Sequence, residues 1–381
     1  MNDILIKDIK SSFITKFATE PVLVFSPGRI NLIGEHTDYN NGFVFPAAID
    51  KGIVTAIQKS EKSVCSVVAG DMNEEFYFSL DTIQPIKNGD WKNFILGVVS
   101  EIQKKGKRLG NFNLVFGGDI PSGSGLSSSA AIENSVVFGL NEVFDLGLTK
   151  KEMIFISQKA EHNYVGVKCG IMDQYASMFG IKDSALLLDC KSLEASPYLI
   201  NFGEYQLLLI NTNVKHSLAE SAYNDRRSVC EKVARILNIP TLREASESDL
   251  QRITSKISTE DYQKALYIIQ ENNRVLLAAK AIKENAILTL GSLLYQSHDG
   301  LQNQYQVSCP ELDFLTNEAK NEPAVIGARM MGGGFGGCTI NLIKKDAIKE
   351  FIEKTSSSYK EKFNLDCTPL HISLSRGTHV L

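Results

Sequence analysis

Phe112-Asn-Leu-Val-Phe-Gly-Gly-Asp-Ile-Pro-Ser-Gly-Ser-Gly-Leu-Ser-Ser-Ser-Ala-Ala-Ile-Glu-Asn-Ser-Val-Val-Phe-Gly-Leu-Asn-Glu-Val-Phe144 changes period in its middle. Phe112, Leu114 and Phe116 alternate along a strand that ends at Gly117-Gly118, whereas Ile132, Val136, Val137, Leu140 and Phe144 recur at helical spacing from Ala130 onward. Between them lies Pro121-Ser-Gly-Ser-Gly-Leu-Ser-Ser-Ser-Ala130. Its glycines free the backbone to curl, and it opens onto a helix N-terminus, where unpaired N–H groups and the positive end of the dipole attract an anion. The loop has no lysine in the G-x-x-x-x-G-K-[ST] position, so it is not a Walker A loop, and a serine hydroxyl near the helix start suits Mg²⁺. A serine-rich helix cap would have the same composition.

Working outward, Val22–Phe25, Ile53–Ile57, Val64–Val68 and Glu75–Ser79 read as strands, and Trp91–Gln103 as an amphipathic helix. Strands arrive in groups with helices interspersed singly, which favours an α+β fold over a regular βαβ winding. The polar, proline-containing stretch Ser192–Tyr198 is the expected boundary, giving domains 1–198 and 199–381. The second half is expected to hold helices over Leu218–Leu237, Tyr262–Lys283, Ala286–His298 and Ala347–Ser357. Strands are expected over Gln206–Ile210, Cys338–Ile343 and Leu370–Leu374.

The 381 residues carry 40 basic and 44 acidic side chains, a formal charge of −4, and 43% hydrophobic residues. This balance excludes disordered and collagen-like classes and gives no electrostatic footprint for nucleic acid or an anionic membrane. Any phosphate must be held by a few placed groups. Seven scattered cysteines with no C-x-x-C argue against a disulfide framework or a zinc site. With no signal-like or membrane-length apolar run, a cytoplasmic protein is expected.

Three further segments carry chemistry. Gly332-Gly-Gly-Phe-Gly-Gly-Cys338 formally contains G-x-G-x-x-G, but a strand rather than a helix follows, so the dinucleotide reading fails. Its glycines instead imply backbone pressed against another loop or a ligand. Gly28-Arg-Ile-Asn-Leu-Ile-Gly-Glu-His-Thr-Asp-Tyr-Asn40 gathers Arg29, Glu35, His36 and Asp38, acceptors suited to the hydroxyls of a polyol. A metal site would want more histidines. In Glu161-His-Asn-Tyr-Val-Gly-Val-Lys-Cys-Gly-Ile-Met-Asp-Gln174, Asp173 follows the apolar pair Ile171-Met172. There an ionised carboxylate needs partners, although a helix-capping aspartate would look the same.

With these segments the chain resembles the GHMP small-molecule kinases and, within them, the galactokinase family. Gly28–Asn40 is similar to that family's signature, Pro121–Ala130 to its phosphate loop and Gly332–Cys338 to its third glycine motif. The likeness continues at Cys169–Gln174 and Ser221–Arg227. The resemblance implies a two-domain GHMP kinase fold, each domain a mixed or antiparallel sheet packed with helices. The active site would lie in the cleft between them, and the last strand could return to the N-terminal domain. It implies phosphorylation of the anomeric hydroxyl of α-D-galactose by MgATP, by a monomer with no nucleic-acid or membrane partner. Asp173 would be the base, with Arg29 stabilising charge. Glu35, His36, Thr37, Asp38, Gly170 and Tyr223 would join Asp173 in holding the sugar. Gly123, Ser124, Gly125, Leu126, Ser127, Ser128 and Ser129 would wrap the triphosphate, Trp91 would line the adenine pocket, and Ser129 and Glu161 would ligate Mg²⁺. N-acetylgalactosamine or another sugar as substrate, or a non-catalytic sensor of galactose and ATP, are the alternatives.

Overall fold

The computed structural model describes residues 2–215 and 219–381. Its largest sheet has six strands in the order His379–Val380, Val22–Asn31, Pro46–Lys59, Phe112–Gly118, Cys65–Ala69, Glu74–Phe78. The pair Cys65–Ala69 and Phe112–Gly118 runs parallel and the other pairs antiparallel, so the sheet is mixed. Helices Trp91–Lys104 and Ser128–Phe144 cover one face. Ile95, Val98, Val99 and Ile102 of the first and Val136, Val137 and Leu140 of the second are buried with Ile57, Leu114 and Phe116 of the strands. Truncating one such side chain to alanine costs about 2–5 kcal/mol, the lost transfer energy plus the cavity left behind.

A second, four-stranded antiparallel sheet runs Val325–Met330, Gly336–Lys344, Tyr205–Lys215, Thr368–Leu370. Helix Ile287–Asp299 packs on strand Val325–Met330, and the long helix Thr259–Lys283 packs against that helix. One core joins the two halves: Ile30, Ile33 and Phe45 share a cluster with Val275, Leu293, Cys338 and Ile340. The chain end crosses back as well, with Leu374 bridging Ile49 and Val380 pairing Val24. The expected strand over Leu370–Leu374 is accordingly cut to Thr368–Leu370, because the segment leaves one sheet for the other.

The polar stretch Ser192–Tyr198 is mostly strand rather than linker. Glu194–Leu199 pairs with Ser184–Asp189, which also pairs with Phe43–Val44. It tolerates Pro197 because it is an edge strand, where a missing N–H breaks no interior ladder. Helices Asp3–Phe17, Lys150–Ala160, Met172–Phe179 and Pro310–Lys320 have too short or too mixed a periodicity to stand out in the sequence. The second carries a readable start, a capping box in which Thr149 and Glu152 satisfy each other's backbone N–H. The helix expected from Leu218 is seen over Ala219–Leu237, and Leu218 itself lies outside the described residues.

Candidate active site

Arg29 lies near the end of strand Val22–Asn31, just past a register shift between Pro27 and Arg29. Its backbone N–H donates to the Leu126 carbonyl at 3.0 Å, stitching the strand to the phosphate loop. Its guanidinium is 4% exposed, and the fork meets Asp173: Nε donates to Oδ1 and Nη2 to Oδ2, both at 2.8 Å, while Nη1 donates to the Gly125 carbonyl at 2.6 Å. The Ser127 hydroxyl also donates to Asp173 Oδ2. Asp173 sits in the first turn of helix Met172–Phe179. Arg29, the phosphate loop and the Asp173 helix therefore converge on one carboxylate, in the bidentate geometry that fixes both charge and orientation.

Around this centre the sugar-loop residues are buried. Glu35 Oε1 accepts from Gly332 N–H and from Arg329 Nη2, each at 2.9 Å. Burial drives the His36 imidazole down to about 3, so it is neutral. A neutral ring fixes the proton's place: Nε2–H donates to the Gly333 carbonyl at 3.2 Å, and Nδ1 accepts from the Tyr39 hydroxyl at 2.8 Å. The Tyr305 hydroxyl, 2.7 Å from that of Tyr39, can then donate to it. Asp38 is pushed up to about 6, first by burial and then by the Asp173 carboxylate, against hydrogen bonds from Tyr39 N–H at 2.9 Å and Met172 N–H at 3.4 Å. Gly170 stands directly behind Asp38; a Cβ there would come within 1.9 Å of Asp38 Oδ2. Tyr223 packs its ring on His36, with centroids 5.1 Å apart.

Glu161 opens a π-helical turn, Glu161–Val165, that continues helix Lys150–Ala160. Its carboxyl is pushed up to about 7, chiefly by burial and then by Asp173, against a hydrogen bond from the Ser129 side chain. Gln174 Nε2 donates to Glu161 Oε2 at 3.0 Å and to Glu133 Oε2 at 3.4 Å. Glu133 is fully buried and its carboxyl is raised well above the usual range by burial and by Glu161; its Oε1 has no hydrogen-bond partner among the described residues. Carboxyls crowded this way, with an unpartnered oxygen among them, suit a hard cation that accepts oxygen ligands. Among the described residues no cluster of three or more His, Cys, Asp or Glu forms a metal cage. Mg²⁺ does not require one, since it commonly takes one or two protein ligands plus phosphate oxygens.

Two cavities meet here. A small one of about 120 Å³ is lined by Glu35, His36, Asp38, Cys169, Met172 and Tyr223. A larger groove of about 910 Å³ is lined by Trp91, Ser122–Ser129, Phe335 and Gly337. Arg29, Glu161, Asp173 and Gly333 belong to both. Trp91 is buried at the start of its helix, its Nε1 donating to Glu74 Oε2 at 3.2 Å. The third glycine motif lends Gly332 and Gly333 to the small cavity and Gly333, Gly334, Gly336 and Gly337 to the groove, and a Cβ at Gly334, with φ +86°, would fall 2.1 Å from the Val307 carbonyl. The structure thus brings together the named residues except two. Thr37 turns its hydroxyl toward the Gly34 and Phe43 carbonyls, at 2.9 and 2.6 Å, and with Gly170 it lines neither cavity.

The residue that sequence reasoning passed over is Arg329. Fully buried, it donates to the carbonyls of Asn31, Leu32 (2.8 Å) and Met330 (2.6 Å) besides Glu35. Its signal was present: a lone arginine in the apolar run Val325–Met331, immediately before the glycines.

The galactokinase galactose-binding signature matches residues 11–59, the GHMP kinase N-terminal domain residues 93–181 and the GHMP kinase C-terminal domain residues 278–361, the longest stretch outside all three being 182–277. A galactokinase of Clostridium beijerinckii is 40% identical over 97% of both chains. One of Thermosipho africanus is 42% identical over 93% of this chain and 98% of its own. The crystal structure of Lactococcus lactis galactokinase complexed with galactose superposes with a TM-score of 0.94 at 32% identity, covering 98% of this chain and 99% of that one. The mevalonate kinase of Methanococcus jannaschii, at 18% identity and a TM-score of 0.63, shares the fold.

Proposed function

From the premise that this chain belongs to the galactokinase family of GHMP kinases, we propose that it transfers the γ-phosphoryl group of ATP to the anomeric hydroxyl of α-D-galactose, giving galactose 1-phosphate and ADP. The observation that carries the reading is the shared wall: Arg29 and Asp173 are the charged pair where a sugar-sized polar cavity opens into the groove under the phosphate loop.

In this reading Glu35, His36, Asp38 and Tyr223 hold the sugar with its anomeric hydroxyl toward Asp173. The Asp173 carboxylate accepts the hydroxyl proton, and the oxygen attacks the γ-phosphorus as the bond to ADP breaks. Arg29 keeps Asp173 oriented and offsets negative charge at the point of transfer, so the chain contributes chiefly alignment and electrostatics. Gly123–Ser129 and the N-terminus of helix Ser128–Phe144 cradle the triphosphate, with Trp91 beside the base. Ser129 and Glu161 would hold Mg²⁺, which when bound neutralises phosphate charge. Among the described residues no helix is long and apolar enough to cross a membrane. In this reading the chain works as a monomer in the cytoplasm, whose reducing conditions suit its unpaired thiols, six of the seven buried.

ADP release measured side by side with galactose, N-acetylgalactosamine, glucose and mevalonate tests the assignment. Galactose is expected to give the highest kcat/KM. Preference for another acceptor would reassign the substrate, and intact binding of galactose and ATP without turnover would make the chain a sensor.

A further inference from the structure

The sugar loop is fastened from behind by one face of helix Thr259–Lys283, most of which lies in the stretch no family signature covers. Glu271 is fully buried and both its oxygens are engaged. Oε1 accepts from Gly34 N–H at 2.9 Å and from the Ser297 hydroxyl at 2.7 Å, and Oε2 accepts from Arg274 Nε at 2.6 Å. One turn earlier on the same face the Tyr267 hydroxyl donates to the Glu35 carbonyl at 3.1 Å, and Asn272, the next residue round the helix, accepts at Oδ1 from Phe43 N–H at 2.7 Å. Glu271 and Asn272 thus grip the two ends of the loop, Gly34 and Phe43, between which Glu35, His36 and Asp38 project. Each grip is on main chain, and neither residue lines the sugar cavity or the phosphate groove.

A carboxylate taken wholly out of water is costly unless its lone pairs are satisfied, and here three donors converge on it. We propose that Glu271 and Asn272 are positioning residues of the sugar site: they hold the loop in its binding shape before sugar arrives and touch neither substrate. This rests on the reading that Glu35–Asp38 binds galactose. Without either grip a loop N–H loses its partner and the loop samples other shapes, so sugar binding must supply the ordering. Arg29, Asp173 and the phosphate loop receive none of these bonds, so nucleotide binding and the chemical step are left alone.

The test is steady-state kinetics on the full chain with galactose and ATP varied in turn, for wild type, Asn272→Ala, Glu271→Ala and Glu271→Gln, with melting curves to establish folding. Asn272→Ala should raise the galactose KM by about tenfold, the loss of one buried hydrogen bond, and Glu271→Ala, which also frees Ser297 and Arg274, by at least as much, with the ATP KM within about twofold of wild type. Glu271→Gln, which keeps an oxygen for Gly34 N–H, should recover part of the difference. Asn272 is half-buried, so Asn272→Ala carries the test if Glu271→Ala does not fold. An unchanged galactose KM in folded Asn272→Ala, or an equal rise for ATP, overturns the inference alone. A wild-type chain that does not phosphorylate galactose overturns the functional reading and this inference with it.

Discussion

Arg29→Lys is the substitution that separates charge from geometry at the point of transfer. Arginine places two nitrogens against the two oxygens of Asp173, both at 2.8 Å, and a third against the Gly125 carbonyl at 2.6 Å. A lysine ammonium is a single nitrogen on a flexible stem: it can keep the positive charge and one carboxylate contact, but it cannot span both oxygens and the loop carbonyl at once. The minimum loss is one charge-assisted hydrogen bond, about 1.5–3 kcal/mol. If that bond keeps Asp173 aligned in the transition state, kcat falls by about 10–100-fold. Glu35, His36 and Asp38, the proposed sugar contacts, are untouched, so the galactose KM should change little. Because Arg29 also braces the phosphate loop through Gly125, a modest rise in the ATP KM is expected. The assay is ADP release with both substrates varied, alongside Arg29→Met, which removes the charge as well and should be slower still. A folded Arg29→Lys enzyme with kcat within about twofold of wild type would refute the reasoning, and Arg29 would then be a structural tie between strand and loop.

Asp173→Asn should retain galactose and ATP binding by calorimetry while kcat falls by about three powers of ten, since a proton acceptor is lost and the pocket keeps its shape; near-normal kcat would remove Asp173 from the base role. Asp38 is held up to about 6 in the folded protein against 3.8 for the free group, so the folded state binds the extra proton. Its contribution to stability is therefore fully present below pH 3.8 and lost as pH rises through about 6. Between about pH 4 and 6 the ligand-free melting temperature should fall with rising pH, and Asp38→Asn should flatten part of that slope; the same titration should make kcat/KM for galactose drop as pH falls through about 6. Trp91 is the chain's one tryptophan and lines the groove beside the phosphate loop, so nucleotide binding should change intrinsic fluorescence while galactose alone changes it little. A signal indifferent to ATP would move the base elsewhere.

Much of this was legible in the residue order. The strand at Phe112, the loop at Pro121 and the helix through Phe144 announce themselves because both neighbours have a period and the loop's glycines and serines have none. The mixture of grouped strands and single helices follows from the same alternation. Less legible was Glu194–Leu199, whose polar edge-strand pattern is indistinguishable from a linker until its pairing with Ser184–Asp189 is known. Arg329 was hidden for a related reason. A buried arginine makes sense only once the carbonyls of Asn31 and Leu32 and the carboxylate of Glu35, nearly three hundred positions earlier in the chain, are seen around it.

What the sequence determined by itself is chemistry: an anion-holding loop, a cluster of polyol acceptors and an arginine able to face a carboxylate, each written within a dozen or so consecutive residues. Short motifs act through their own backbone and side chains, so local order is enough to specify them. Only the tertiary structure decided which oxygen meets which donor. Asp173 is brought to Arg29 across 144 positions, Glu35 is locked by Gly332 and Arg329, and Gly34 is held by Glu271. Those pairings depend on a core that fuses both halves, where Ile33 and Phe45 pack with Val275 and Ile340. Burial there removes water from the charged groups, and without water each must find the partner that the fold supplies.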